Sequence, residues 1–285
     1  MKTLTTRYGE LTPQHTTDDL RKKELLPVMY HENGTPKSLP LEHQTSIGTP
    51  AGDIPAELIT FHENGSLNRV FPLNGKLSGY WSEDDEMAMT RPVTLHTPIG
   101  NITTRIISIS FYEDEAVRSI TLCPGETVIV ATPKGQFIAR MGISFYPDGN
   151  VRSLEPANPL PTQTTAGKVM AYDPDAVGIN GDTNSLVFDH RGEVVRVSTT
   201  LSQIKAIHPD GRMSCFTPQY RESYCSDTEM EIMPMVVEFH EQAVSFSINP
   251  ESPSHQIPKK NHLFFSAPYL PQFMQPIELT RKSPA

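Results

Sequence analysis

The residues from Phe61 to Val70 read Phe-His-Glu-Asn-Gly-Ser-Leu-Asn-Arg-Val, and variants of that string recur along most of the chain. An aromatic residue closes one apolar run, Asn-Gly turns the backbone, and a second apolar run begins. Asn-Gly suits a type I′ turn, whose two central residues both need positive φ, so the string predicts a β-hairpin. Further copies are Tyr30-His31-Glu32-Asn33-Gly34, Phe111-Tyr112-Glu113-Asp114-Glu115, Phe145-Tyr146-Pro147-Asp148-Gly149 and Phe188-Asp189-His190-Arg191-Gly192. Ile207-His208-Pro209-Asp210-Gly211 has isoleucine in the aromatic place, and Phe239-His240-Glu241-Gln242-Ala243 is a degraded copy. A chain that repeats a hairpin this often is confined to β architecture. Its 26 prolines argue further against long helices.

The flanking runs have the strand period. Ile107, Ile109 and Phe111 alternate with Ser108, Ser110 and Tyr112, and Met141, Ile143 and Phe145 repeat the pattern. After the turn, apolar residues stand three apart (Leu67 and Val70, Val151 and Leu154, Val194 and Val197), which predicts a bulge in the returning strand. A second motif alternates with the first: Thr49-Pro50-Ala51-Gly52, Thr97-Pro98-Ile99-Gly100, Thr132-Pro133-Lys134-Gly135 and a weaker Thr165-Ala166-Gly167. Proline second and glycine fourth suit a type I turn. The uneven spacing of the copies argues against a propeller of equal blades. The expected fold is all-β: an array of antiparallel β-hairpins forming an extended twisted sheet or solenoid-like body with little helix. Residues 1–27 read as a polar arm in which Thr16 to Asp19 caps a short helix from Leu20 to Leu25. Residues 28–155 carry the clearest hairpin repeats, 156–249 more degenerate ones in a possible second lobe, and 250–285 a Pro-rich tail unsuited to a regular sheet.

Phe61 to Trp81 continues as Phe71-Pro72-Leu73-Asn74-Gly75-Lys76-Leu77-Ser78-Gly79-Tyr80-Trp81. An aromatic start, a Glu-Asn-Gly turn and then Asn-Gly-Lys-Leu-x-Gly before an aromatic pair resemble the MORN-variant repeat of bacteria. Only residues 61–81 match both halves. The resemblance implies arrays of antiparallel hairpins and members described as antitoxin-like or as interaction modules without catalysis.

A net charge of −9 makes nucleic acid and anionic membranes unfavourable partners. The residues from Met1 to Glu24 lack the apolar run of a secretory signal, and no segment reaches the apolar length of a membrane span, so a cytoplasmic location is expected. Three cysteines, Cys123, Cys215 and Cys225, are too few for a disulfide scaffold and read as free thiols, although Cys215 and Cys225 stand close enough in sequence to pair.

The candidate sites are sparse. Asp173, Asp175 and Asp182 offer oxygen ligands to calcium, but Val177 and Asn184 occupy positions where an EF-hand loop needs a ligand and a bidentate glutamate, so the segment reads first as a polar turn. His31 and His62 share one repeat position beside a turn and read as surface residues; the Cys-paired spacing of structural zinc is missing. The sequons at Asn33, Asn64 and Asn101 read as turn chemistry. Cys123 reads as a buried small hydrophobe, not a nucleophile. Tyr80 and Trp81, before the acidic run Glu83 to Glu86, are the candidate partner-binding residues, because Trp and Tyr are enriched in binding hot spots; for Trp81 the competing reading is an apolar face of the sheet. No cofactor and no metal are expected. The leading functional expectation is a non-catalytic repeat scaffold or protein-interaction module whose partner is another protein. The alternatives are a hydrolase or carbohydrate-acting enzyme whose carboxylates converge in three dimensions, and an antitoxin-like partner protein.

Overall fold

The computed structural model describes residues 3–176, 184–222, 230–248 and 254–270. The chain is almost wholly β, with 57% strand against 3% helical, arranged as antiparallel hairpins in extended sheets with no closed barrel among the described residues. It divides into two compact units, residues 1–157 with 176–193, and residues 158–175 with 194–285.

In the first unit one sheet runs through Met29–Tyr30, Pro36–Thr49, Gly52–Phe61, Leu67–Phe71, Ile106–Phe111, Val117–Leu122, Gly135–Phe145, Val151–Pro156 and Leu186–Phe188, each antiparallel to the next. Thr127–Thr132 adds to Gly135–Phe145, and Val93–Thr97 with Gly100–Thr104 forms a separate hairpin. Phe61, Phe111, Phe145 and Phe188, the aromatic positions of successive copies, are all buried, with Ile59, Ile109, Ile120, Ile143 and Leu154 around them. In the second unit Val194–Thr199, Met235–Phe239, Ala243–Ser247 and His255–Pro258 form one sheet. Met213–Phe216, Ser202–Ile207 and Leu263–Pro268 form another. Leu160–Thr164 with Gly167–Ala171 and Gln219–Glu222 with Met230–Met233 are further hairpins.

The aromatic turns share one hydrogen-bond pattern. In the Phe61 copy the Gly65 amide donates to the His62 carbonyl at 2.9 Å and the His62 amide to the Ser66 carbonyl at 2.9 Å. Gly65 has φ of 78°, while Asn64 is not among the residues with positive φ. The turn is therefore a type I turn closed by a left-handed glycine, not the expected type I′. Phe61 faces Leu67 and Thr60 faces Arg69, which makes Asn68 the extra residue of a bulge. The asparagine serves the turn through its side chain: Asn64 Oδ1 accepts from the Ser66 amide at 2.9 Å and hydroxyl at 2.7 Å, and Asn33 does the same with Thr35. In the third copy Glu115 takes the left-handed position with φ of 69°, and its carboxylate accepts from the Tyr8 hydroxyl at 2.6 Å. Burial first, then this bond, push the Tyr8 hydroxyl pKa up.

In four copies the residue after the aromatic ties one copy to the next. His31 Nε2 lies 2.9 Å from the Phe61 carbonyl and His62 Nε2 3.1 Å from that of Phe111. The Tyr112 hydroxyl donates to the Phe145 carbonyl at 2.8 Å, and that of Tyr146 to Phe188 at 2.8 Å. His31 and His62 are thus half-buried rungs of a ladder and not plain surface residues.

The second motif folds as Thr-x-x-Gly hairpins in which the threonine hydroxyl donates to the glycine carbonyl, at 2.7 Å for Thr49, 2.7 Å for Thr97 and 3.1 Å for Thr132. In the weaker copy the capping residue is Thr164, one position before the expected Thr165. Thr6-Arg7-Tyr8-Gly9 is another copy, in the stretch expected to be a plain arm. A Cβ on Gly192, where φ is 77°, would stand 2.8 Å from the Pro133 ring, and one on Gly149 3.3 Å from Pro98. The tips of this motif therefore rest on the turns of the first, where only glycine leaves room.

Three further expectations fail on the described residues. No helix forms over 20–25; the one helix among the described residues is Glu83–Met89, capped by Ser82 and Asp85 in a reciprocal capping box. The Arg21 carbonyl accepts from the Lys76 amide at 3.0 Å, and Asp18 Oδ1 gathers the amides of Leu20, Arg21 and Lys22, so the segment is an Asx-type loop. The described part of the Pro-rich tail, residues 254–270, contains two regular strands, His255–Pro258 and Leu263–Pro268, and the rest of the tail lies outside the described residues. The alternation from Met141 breaks, since Met141 itself has φ of 56° at a register shift.

Candidate functional site

Residues 12–16 lie along the first-unit sheet. The Gln14 amide donates to the Pro40 carbonyl at 2.9 Å and the Glu42 amide to Thr12 at 3.0 Å, covering the open edge of Pro36–Thr49. Glu42, buried under this segment, accepts from the Thr16 hydroxyl, the His15 amide at 2.7 Å and the Thr16 amide at 3.1 Å. The Thr16 hydroxyl first, then these amides, hold its pKa down to about 2.

Arg21 follows in the loop. Its guanidinium is buried between two carboxylates from distant elements: Glu57 on strand Gly52–Phe61 and Glu86 on the helix. It donates to both oxygens of Glu57 at 2.9 and 2.6 Å, and to both of Glu86 at 2.7 Å. Glu57 also accepts from the Asn74 amide at 2.9 Å, and Glu86 from the Gly75 amide and the Trp81 indole, each at 2.7 Å. A Cβ on Gly75 would stand 2.1 Å from the Glu86 carboxylate, so the loop backbone can approach only as glycine. Burial opposes the charge on Glu86, but the Arg21, Trp81 and Gly75 hydrogen bonds prevail and keep its carboxyl below the usual range. Lys22, 3.9 Å from Glu57, balances the remaining charge. Each ion has the partners that burial demands.

Around this cluster the loop surface mixes exposed apolar side chains with basic ones. Tyr80 is 80% exposed, and the Lys23 ammonium stands 4.7 Å above its ring. Leu20, Leu25, Leu26 and Leu77 are exposed large side chains on the same loops. A groove of about 280 Å³ between the two loops is lined by Lys22, Lys23, Leu26, Asn74 and Lys76. Trp81 is half-buried, and its indole N–H is tied to Glu86. Residues 74–81, the second half of the MORN-like string, run as a loop with an isolated bridge between Ser78 and Trp81.

The remaining candidates lie apart. Asp173 Oδ1 accepts the Asp175 amide at 3.1 Å in an ordinary Asx turn, while Asp182 lies outside the described residues. Among the described residues no three His, Cys, Asp or Glu side chains gather as a metal site. Cys123 is a buried free thiol and Cys215 an exposed one; Cys225 is outside the described residues. No helix among the described residues is long and apolar enough to cross a membrane.

Arg21, Glu57 and Glu86 do not announce themselves in sequence, because they stand 36 and 65 positions apart. The nearest signals were the basic run Arg21 to Lys23 and the acidic run Glu83 to Glu86, each of which looks like a solvated face on its own. Comparisons with family models, with curated proteins and with solved structures find no match to this chain.

Proposed function

We propose that the chain is a non-catalytic repeat scaffold that binds a protein partner through the loop surface around Tyr80. The observation that carries this is the pairing of an 80% exposed tyrosine and neighbouring exposed leucines with a rigid, fully hydrogen-bonded base. A large exposed aromatic on a hydrogen-bonded platform loses little entropy on binding, and tyrosine is among the residues enriched in binding hot spots. A hydrolase would need a carboxylate free to exchange a proton or meet a substrate. Glu57 and Glu86 are the buried carboxylates that converge here, and both are committed to Arg21 and loop amides. An antitoxin-like role is the narrower form of the same proposal and draws only on the resemblance at 61–81.

The test is capture from an extract of the native host with the tagged chain at endogenous level, comparing it with a Leu77→Ser, Tyr80→Ala variant. We expect a stable partner that the variant loses at least roughly tenfold, with an unchanged thermal midpoint, since both side chains face solvent. Failure to capture a partner, or equal capture by the variant, rejects the surface.

A further inference from the structure

His208 and His262 lie in the second unit, where Ile207 pairs with Leu263 across adjacent strands. Their rings meet edge to face at 78° with centroids 5.0 Å apart, and His262 Nε2 stands 3.2 Å from His208 Nδ1. The outer nitrogen of each ring is anchored. His262 Nδ1 lies 3.0 Å from the Lys260 carbonyl, an acceptor only, so the ring hydrogen sits on Nδ1 and the neutral ring turns the Nε2 lone pair inward. His208 Nε2 lies 2.7 Å from Ser214 Oγ. We propose that these two inner nitrogens form a binding site for a late first-row divalent ion such as Zn²⁺.

Three observations carry the proposal. A tetrahedral ion about 2.0–2.1 Å from each imidazole nitrogen sets the two nitrogens about 3.3 Å apart, the separation the rings already hold to within a tenth of an ångström. Metal-ligating histidines characteristically donate the opposite N–H to a carbonyl or another fixed oxygen, and both rings have such an oxygen in place. His208 differs from His31 and His62, which stand at the same repeat position and reach the next strand's carbonyl through Nε2: His208, like His240 with Ser245, gives Nε2 to a serine, and it turns Nδ1 to His262. His262 is set by a tight turn, with Asn261 at φ of 62° and its own amide donating to the Lys259 carbonyl. Both rings are half-buried, so water can complete the coordination. A pure imidazole pair selects zinc, copper or nickel over calcium or magnesium. Such an ion would fasten the turn before Leu263–Pro268 to the turn after Ser202–Ile207.

The competing arrangement is a hydrogen bond, with His208 Nδ1–H donating to His262 Nε2 and the Ser214 hydroxyl donating to His208. The experiment takes the full chain, stripped with chelator, and titrates Zn²⁺ by calorimetry while Cu²⁺-loaded protein is examined by electron paramagnetic resonance. We expect one saturable equivalent of Zn²⁺, weakened roughly tenfold or more in His208→Gln and in His262→Gln, and two nitrogen couplings in the Cu²⁺ spectrum of the wild-type chain. The spectrum needs no variant, so the proposal stays testable if a substitution unfolds the strand pair. Absence of saturable binding, undiminished binding in the double variant, or fewer than two coupled nitrogens overturns the site and leaves the hydrogen-bonded pair.

Discussion

Glu42 shows how single side chains hold the amino-terminal segment in place. Its carboxylate accepts hydrogen bonds from Thr16 and from two amides of the covering segment, and its pKa falls from an ordinary 4.5 to about 2. Because the folded value lies below the unfolded one, the ionised group stabilises the fold above about pH 4.5, and that contribution is lost as pH falls toward 2. In Glu42→Gln the thermal midpoint should fall at pH 7, and the difference from wild type should shrink through this window when both are followed by circular dichroism. A constant difference from pH 7 to pH 3 would show that Glu42 acts through shape and not charge. Sequence revealed the turn residues well, since the preference of glycine and asparagine for a turn is a local property. It misassigned His31 and His62, because a donor aimed at the next copy's carbonyl is invisible without the register. It missed Arg21 entirely, because a buried arginine between two carboxylates is defined only by elements that meet in space.

At the level of elements, the hairpins were legible and their joints were not. The alternation into Phe111 and the three-residue gap after Gly65 foretold strand and bulge, since both depend on near neighbours. The helix Glu83–Met89 escaped because its box, Ser82 with Asp85, sat inside an acidic run with little apolar period to mark a buried face. The described part of the Pro-rich tail forms strands because Pro258 and Pro268 each fall at a strand end, where a strand can tolerate them. The ladder makes its own prediction. Tyr112→Phe removes a single hydroxyl that donates to the Phe145 carbonyl, and Tyr146→Phe the one that donates to Phe188, with the ring retained in each case. Each should cost about 1 kcal/mol in urea denaturation with an unchanged slope. A cost near zero in both would mean that aromatic packing alone joins the copies.

Across the whole molecule, the chain does not finish one unit before starting the other. It leaves the first unit after Ala157, returns at Ala176 and leaves again after Glu193. The uneven spacing of the repeats has this physical origin in part: the stretch between the Phe145 and Phe188 copies contains Leu160–Thr164 and Gly167–Ala171, which pair with each other within the second unit. The return is structurally necessary. Leu186–Phe188 pairs with Val151–Pro156, the Ser185 amide donates to buried Glu155 at 2.8 Å, and Asn184 donates to Ser153 at 2.7 Å. Phe188 also supplies the carbonyl that Tyr146 reaches and is itself buried. A fragment ending at residue 157 therefore loses a paired strand, the amide that Glu155 accepts from, and a core aromatic whose truncation to alanine would by itself cost roughly 3–5 kcal/mol. We expect fragment 1–193 to melt cooperatively and fragment 1–157 to melt broadly and at lower temperature, with its sheet edge at Val151–Pro156 unpaired and prone to association. Equal midpoints for the two fragments would mean that the returning segment decorates the first unit without completing it, and the compact unit would then have to be redrawn to end at Ala157.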